Sequence, residues 1–143
     1  QNKKSSICDM GTGAGIPGLI LSIKNYTNIS LIDSNAKKIN FIRSVIPKLD
    51  IRAKIYLKRI EAIQNKKFDF LVSRALANLN KLFFYSQYFL KQDTVLIFLK
   101  GKTYKNEIIE AYKKWEFYYE IHKSLSDKLG TVLIINHLKK IND

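Results

Sequence analysis

Asp9-Met10-Gly11-Thr12-Gly13-Ala14-Gly15-Ile16-Pro17-Gly18 follows directly on the apolar pair Ile7-Cys8. Four glycines within eight residues, Gly11, Gly13, Gly15 and Gly18, have no role in an ordinary core. A loop that joins a buried strand to a helix must turn tightly, and glycine permits both positive φ and close approach of a ligand to bare backbone. Asp9 then stands at the carboxyl end of the strand, where open α/β sheets bind their ligands. A tight turn without a ligand is the alternative reading.

The spacing separates two cofactor classes. The dinucleotide fingerprint G-x-G-x-x-G begun at Gly11 needs a glycine where Ile16 stands, and so fails. Begun at Gly13 it fits Gly13, Gly15 and Gly18 but leaves Gly11 unexplained. D-x-G-x-G-x-G from Asp9 to Gly15 reads cleanly, and is similar to the loop of S-adenosylmethionine-dependent methyltransferases with a Rossmann-like sheet. A dinucleotide-dependent oxidoreductase is the less favoured alternative.

Outward from the loop, strand and helix alternate. Ser6 to Met10 is the first strand, and Pro17 opens a helix through Leu19, Ile20 and Ile23. Ile29 to Ile32 is the second strand. Ala36 to Leu49 places Ile39, Ile42, Val45, Ile46 and Leu49 at helical spacing, with Pro47 expected to kink or shorten the end. Arg52 to Leu57 and Phe68 to Val72 are strands, Leu79 to Leu90 a helix, and Val95 to Leu99 a continuous apolar strand of the parallel-sheet kind. Lys105 to Trp115 reads as the last helix. Phe117 to Lys123 and Thr131 to Leu138 close the chain as an antiparallel hairpin. The expected fold is therefore α/β: a mostly parallel seven-stranded sheet of five βα units with an antiparallel C-terminal hairpin, in one domain over residues 1–143.

The 143 residues, 46% of them hydrophobic, suffice for one core. No apolar run approaches the ~20 residues that span a bilayer, so no membrane partner and a cytoplasmic location are expected. Cys8 is the only cysteine, which leaves no internal disulfide and no cysteine metal cluster; no metal is expected. Lys and Arg number 25 against 12 Asp and Glu, a formal +13 that suits an anionic polymer such as RNA or a membrane surface, or equally reflects a gene of biased base composition.

Polar residues fall where an adenosyl cofactor needs them. Asp33 ends the second strand 22 residues beyond Gly11 (33 − 11), the position from which a carboxylate accepts ribose hydroxyls. An N-cap for the next helix is its other possible role. Glu61 follows the third strand, where a short connection would hold the adenine edge while Ile60 packs on the ring; alone, it would be a solvated charge. Arg74 follows the fourth strand and suits either the methionine carboxylate or a phosphate, or is a plain surface arginine. The cluster Phe83, Phe84, Tyr85, Tyr88 and Phe89 reads as the core face of a helix.

These residues together resemble a family. Asp9 to Gly18, Leu31-Ile32-Asp33-Ser34 with Lys37-Lys38 and Phe41, Arg59 and Glu61, Phe68-Asp69, Ser73-Arg74-Ala75, and Leu99-Lys100-Gly101 with Glu107 keep the order and spacing of the 16S ribosomal RNA guanine-N7 methyltransferases, the glucose-inhibited division protein B family. The resemblance implies S-adenosylmethionine as cofactor, bound by Gly11, Ile16, Ile60, Glu61 and Arg74, which Gly13 of the glycine loop and Asp33 at the second strand's end join on the reading above. It also implies small-subunit rRNA, or the assembling subunit, as partner. Lys37, Lys38, Arg43, Arg59 and Lys100 become candidate phosphate contacts, with Lys100 on the substrate side. Members carry a helical segment before the glycine loop, so a chain shortened at its N-terminus is expected, with a catalytically impaired remnant that binds only cofactor or RNA as the alternative. A monomer is expected.

The chemistry fits what is missing. No Asn/Asp-Pro-Pro-Tyr motif follows the fourth strand, and no cysteine lies there to attack a pyrimidine carbon. Guanine N7 already presents a lone pair, so its methylation needs placement without a general base. No catalytic residue is assigned, and His122 and His137 are expected to be structural.

Overall fold

The computed structural model describes residues 3–74, 76–123 and 130–142. Seven strands form one sheet in the order β3-β2-β1-β4-β5-β7-β6. The strands are β1 (Ile7–Met10), β2 (Ile29–Asp33), β3 (Lys54–Leu57), β4 (Phe68–Arg74), β5 (Leu90–Lys100), β6 (Trp115–Lys123) and β7 (Thr131–Lys140). β1 to β5 run parallel, while β7 pairs antiparallel with both β5 and β6. The chain turns back on itself between β1 and β4, and this reversal opens a crevice at the strands' carboxyl ends.

Period-2 alternation divides the core into two layers. Ile7, Leu31 and Val72 face α1 (Gly18–Ile23) and α2 (Ala36–Leu49), with Ile39 and Ile42 of α2 buried against them. Cys8, Met10, Ile32 and Leu71 face the opposite side, where α3 (Leu79–Ser86) and α4 (Tyr104–Ala111) supply Leu82, Phe83 and Ile108. Phe83 is the hub of that side, with ring centroids 4.9 Å from Phe117 and 5.7 Å from Trp115.

Four expectations are corrected. The connection from β3 to β4 holds only a 3-10 turn at Ile60–Ala62, so the fold lacks one of its five expected α crossovers. Pro47 lies inside α2, which continues to Leu49 and ends on Asp50 in the left-handed region at φ 49. Its missing N–H falls in the last turn, where the orphaned carbonyl of exposed Arg43 can meet water. Lys105 to Trp115 is helical only to Ala111, because Trp115 is drawn into the core as the first residue of β6. β5 extends back to Leu90, pairing it with Phe68 across an irregular step in the ladder. Residues 124–129 of the hairpin and Ala75 lie outside the described residues.

Candidate functional site

The glycine loop is braced from beneath by Asp9. Its carboxylate is fully buried, with Oδ2 accepting from the Thr12 hydroxyl at 2.8 Å and the Gly18 backbone N–H at 2.9 Å. Oδ1 is buried without a hydrogen-bond partner. Asp9 thus ties the strand end to the start of α1 and holds the loop between them. Gly18 must be glycine for packing: a Cβ there would penetrate the Leu31 side chain and lie 2.9 Å from Asp9 Oδ2. Gly13 is different, because at φ +57 a Cβ there would meet nothing within 4 Å, and its backbone faces open space. Leu76, from the loop after β4, lies over Gly11.

Burial holds the Asp9 carboxyl up from 3.8 to about 6, with the charge of Asp33 adding and the Thr12 and Gly18 hydrogen bonds opposing. A raised acid binds its proton more tightly in the folded state. Its contribution to stability is therefore whole below about pH 4 and is lost as pH rises through 6, by roughly 3 kcal/mol at 1.36 kcal/mol per unit. Urea denaturation of the wild type and Asp9→Asn at pH 4 and pH 8 checks this. The variant is expected to gain on the wild type by about 2–3 kcal/mol between the two pH values, the opposing titration of Asp69 being common to both proteins. A difference independent of pH would contradict it.

Asp33 closes the loop from the neighbouring strand. Its Oδ2 accepts from Gly13 N–H at 2.9 Å and its Oδ1 from Asn35 N–H at 2.8 Å. The N-cap of α2 is Asn35, whose side chain accepts from Lys38 N–H at 3.1 Å, so the capping alternative for Asp33 does not hold. The tips of β1 and β2 therefore converge on one point.

A cleft of about 410 Å³ opens there, in the size range of small-molecule sites. It brings together Gly11, Gly13, Ile16, Asp33, Ile60, Glu61 and Arg74, drawn from the carboxyl ends of four strands, β1 to β4, far apart in sequence. Ile60 is buried by the 3-10 turn that holds it, while Glu61 and Arg74 are exposed at the rim. Thr12, Ser34, Lys58, Leu76 and Tyr85 also line the cleft and were not singled out from sequence. Thr12 and Ser34 adjoin motif residues, whereas nothing in the helical pattern distinguished Tyr85 from its buried neighbours.

Of the basic candidates, Lys38 and Arg59 line the cleft, and Lys37 and Arg43 are exposed on α2 outside it. Lys100 departs from its expected place. It is buried, with Nζ 2.8 Å from Glu107 Oε1 and donating to the Ala77 carbonyl at 2.8 Å, so its charge is spent inside the protein. His122 is exposed beside Glu120, and His137 packs edge-on to Tyr118. Neither lines the cleft. Among the described residues no cluster of three or more His, Cys, Asp or Glu is placed to hold a metal, and no helix is long and apolar enough to cross a membrane.

A family model described as rRNA small subunit methyltransferase G matches residues 1–136. The chain belongs to that family. It is 39% identical over 141 residues to the ribosomal RNA small subunit methyltransferase G of Rickettsia prowazekii, covering 99% of this chain and 73% of that relative. With the protein of the same name from Bartonella bacilliformis it shares 36% over 138 residues, covering 92% of this chain and 64% of the relative. The fold is similar to a TehB-like SAM-dependent methyltransferase from Corynebacterium glutamicum, with a TM-score of 0.70 over 95% of this chain and 82% of that one at 16% identity. The sheet is thus that of the class I S-adenosylmethionine-dependent methyltransferases, the fold expected from the glycine loop and from parallel βα units closed by an antiparallel hairpin.

Proposed function

We propose that this chain transfers a methyl group from S-adenosylmethionine to N7 of a guanine in small-subunit rRNA, as a cytoplasmic monomer. The observation that carries the proposal is the convergence of Gly13, Asp33, Ile60, Glu61 and Arg74 on one cleft in a chain of this family. The residues fit the cofactor. Open backbone at Gly13 admits a ligand, and Asp33 retains lone pairs for ribose hydroxyls beyond the two bonds it already accepts. Ile60 offers an apolar surface for adenine with Glu61 at the ring's edge, and Gly11 and Ile16 line the methionine end. Arg74, exposed at the rim, would pair with the methionine carboxylate. The cofactor supplies an electrophilic methyl on a sulfonium.

The protein's part is positional. A neutral guanine N7 needs no proton removed, so the site must orient the two reactants and exclude water. Lys37, Lys38, Arg43 and Arg59 are exposed cations for the RNA backbone, supplying affinity that falls with salt. A-form major grooves are too deep and narrow for side chains, so the target guanine lies in a loop or distorted segment.

Methyl-labelled S-adenosylmethionine incubated with the chain and either naked small-subunit rRNA or the small subunit tests this. Nuclease digestion and mass spectrometry are expected to recover label as N7-methylguanosine. Label on any other atom would refute the reaction, and cofactor binding without transfer would favour the binding-only alternative.

A further inference from the structure

The aromatic cluster on α3 divides between two faces. Leu79, Leu82, Phe83 and Ser86 are buried against the sheet. Lys81, Phe84, Tyr85 and Tyr88, at i, i+3, i+4 and i+7, form a second stripe running past the helix into the following 3-10 turn, with Tyr85 and Tyr88 resting on the edge of the core and Lys81 and Phe84 exposed. Phe84 is 37% exposed, whereas Phe83 and Phe89 are buried and Tyr85 and Tyr88, half-buried, pack against the core, so Phe84 alone departs from the expected core face. A helix apolar on both faces normally has a partner on each. Here the outer stripe holds rings at mutual angles, Phe84 lying 5.8 Å from Tyr88 and 6.0 Å from Tyr85. Lys81 Nζ sits 5.5 Å from the Phe84 ring centre and 5.3 Å from that of Tyr85. One more lysine flanks the stripe: Lys67 Nζ donates to the Tyr88 carbonyl at 3.4 Å. No acidic residue occurs between Leu79 and Leu90.

Rings interleaved with cations, on a segment that carries no carboxylate of its own, fit single-stranded nucleic acid, whose bases stack while its phosphates take the charge. The stripe is also continuous with the proposed site, because Tyr85 lines the cofactor cleft. We infer that the outer face of α3 is a stacking platform for unpaired RNA bases, on which Phe84 and Tyr88 hold nucleotides flanking the target while Lys81 meets a phosphate. This rests on the rRNA methyltransferase reading and adds to it the conformation of the substrate strand at the rim.

Binding of a fluorescently labelled single-stranded RNA of about twelve nucleotides and of its duplex, measured across a salt series, tests the inference. Phe84→Ala and Tyr88→Ala are each expected to weaken single-strand binding on the order of tenfold, in keeping with one stacked base apiece, without changing the slope against salt. Phe84→Trp is expected to restore it. Lys81→Ala is expected to shallow the slope by about 0.7, the contribution of one phosphate on a single strand. Neither Phe84 nor Tyr88 lines the cleft, so calorimetric affinity for S-adenosylmethionine is expected to be unchanged in their variants, which also reports that they are folded. Unaltered single-strand affinity in Phe84→Ala/Tyr88→Ala would overturn the platform, as would an equal loss with duplex, or retained RNA affinity with lost binding to anionic phospholipid vesicles. Failure of the wild type to bind S-adenosylmethionine would instead count against the methyltransferase reading.

Discussion

Asp33→Ala is expected to raise the dissociation constant for S-adenosylmethionine by two orders of magnitude or more. A hydrogen bond to a charged acceptor contributes about 1.5–3 kcal/mol, so two ribose hydroxyls on one carboxylate account for roughly 3–6 kcal/mol. The substitution acts a second time through the loop, since Gly13 N–H loses the acceptor that fixes it 2.9 Å from Oδ2. Both orphaned N–H groups lie where water can reach them, so the fold is expected to survive: Gly13 is only partly covered and Asn35 is exposed. Asp33→Asn keeps one acceptor oxygen and should fall between, on the order of tenfold weaker than wild type. Isothermal titration of the three proteins, with melting temperatures as a check on folding, decides the matter. An affinity unchanged by Asp33→Ala would remove the ribose assignment and with it the reason for joining these two strand tips into one site.

That junction was legible in the sequence because it depends on local signals. Glycines at fixed offsets from a strand end, and an acid at the end of the next strand, are tied to positions in the chain, and the parallel order of β1 and β2 then brings them together. The same holds for Ile60 and Glu61, placed by the short turn after β3. What escaped was set by contacts distant in sequence. Trp115 belongs to a strand because Phe83 awaits it across the core, although its own neighbourhood has helical spacing. Asp9, expected simply near a ligand, proves to be buried and to hold α1 to β1, a role fixed by where Gly18 returns in space. Tyr85 reaches the cleft from the edge of the core while Phe83 is wholly buried in it, although both are aromatics of one helix, and only the helix's rotation against the sheet distinguishes them.

Lys100 illustrates the same limit most sharply, and its partner is where the largest loss of stability is expected. Glu107 Oε1 accepts from Lys100 Nζ at 2.8 Å and from Leu79 N–H at 2.9 Å, while Oε2 accepts from the Thr103 hydroxyl at 2.9 Å. Lys100 also holds the Ala77 carbonyl, so the pair clamps the segment between β4 and α3, the same segment that lays Leu76 over Gly11. Glu107→Ala strands a buried ammonium and frees the first helical N–H of α3. Breaking such a pair from one side costs about 3–5 kcal/mol, which for a domain of this size is a fall in melting temperature of roughly 10 °C. Lys100→Met leaves the carboxylate with two neutral donors and should cost less, about 2 kcal/mol. Combining Lys100→Met with Glu107→Leu should recover much of the loss, because the uncompensated charge is gone. The salt dependence of RNA binding then separates a clamp from a phosphate contact. A lysine on a phosphate gives up about 0.7–0.9 of slope when neutralised, whereas Lys100→Met is expected to leave the slope at its wild-type value. A shallower slope in that variant would put Lys100 back on the RNA, and a Glu107→Ala protein as stable as wild type would show that the buried pair holds nothing in place.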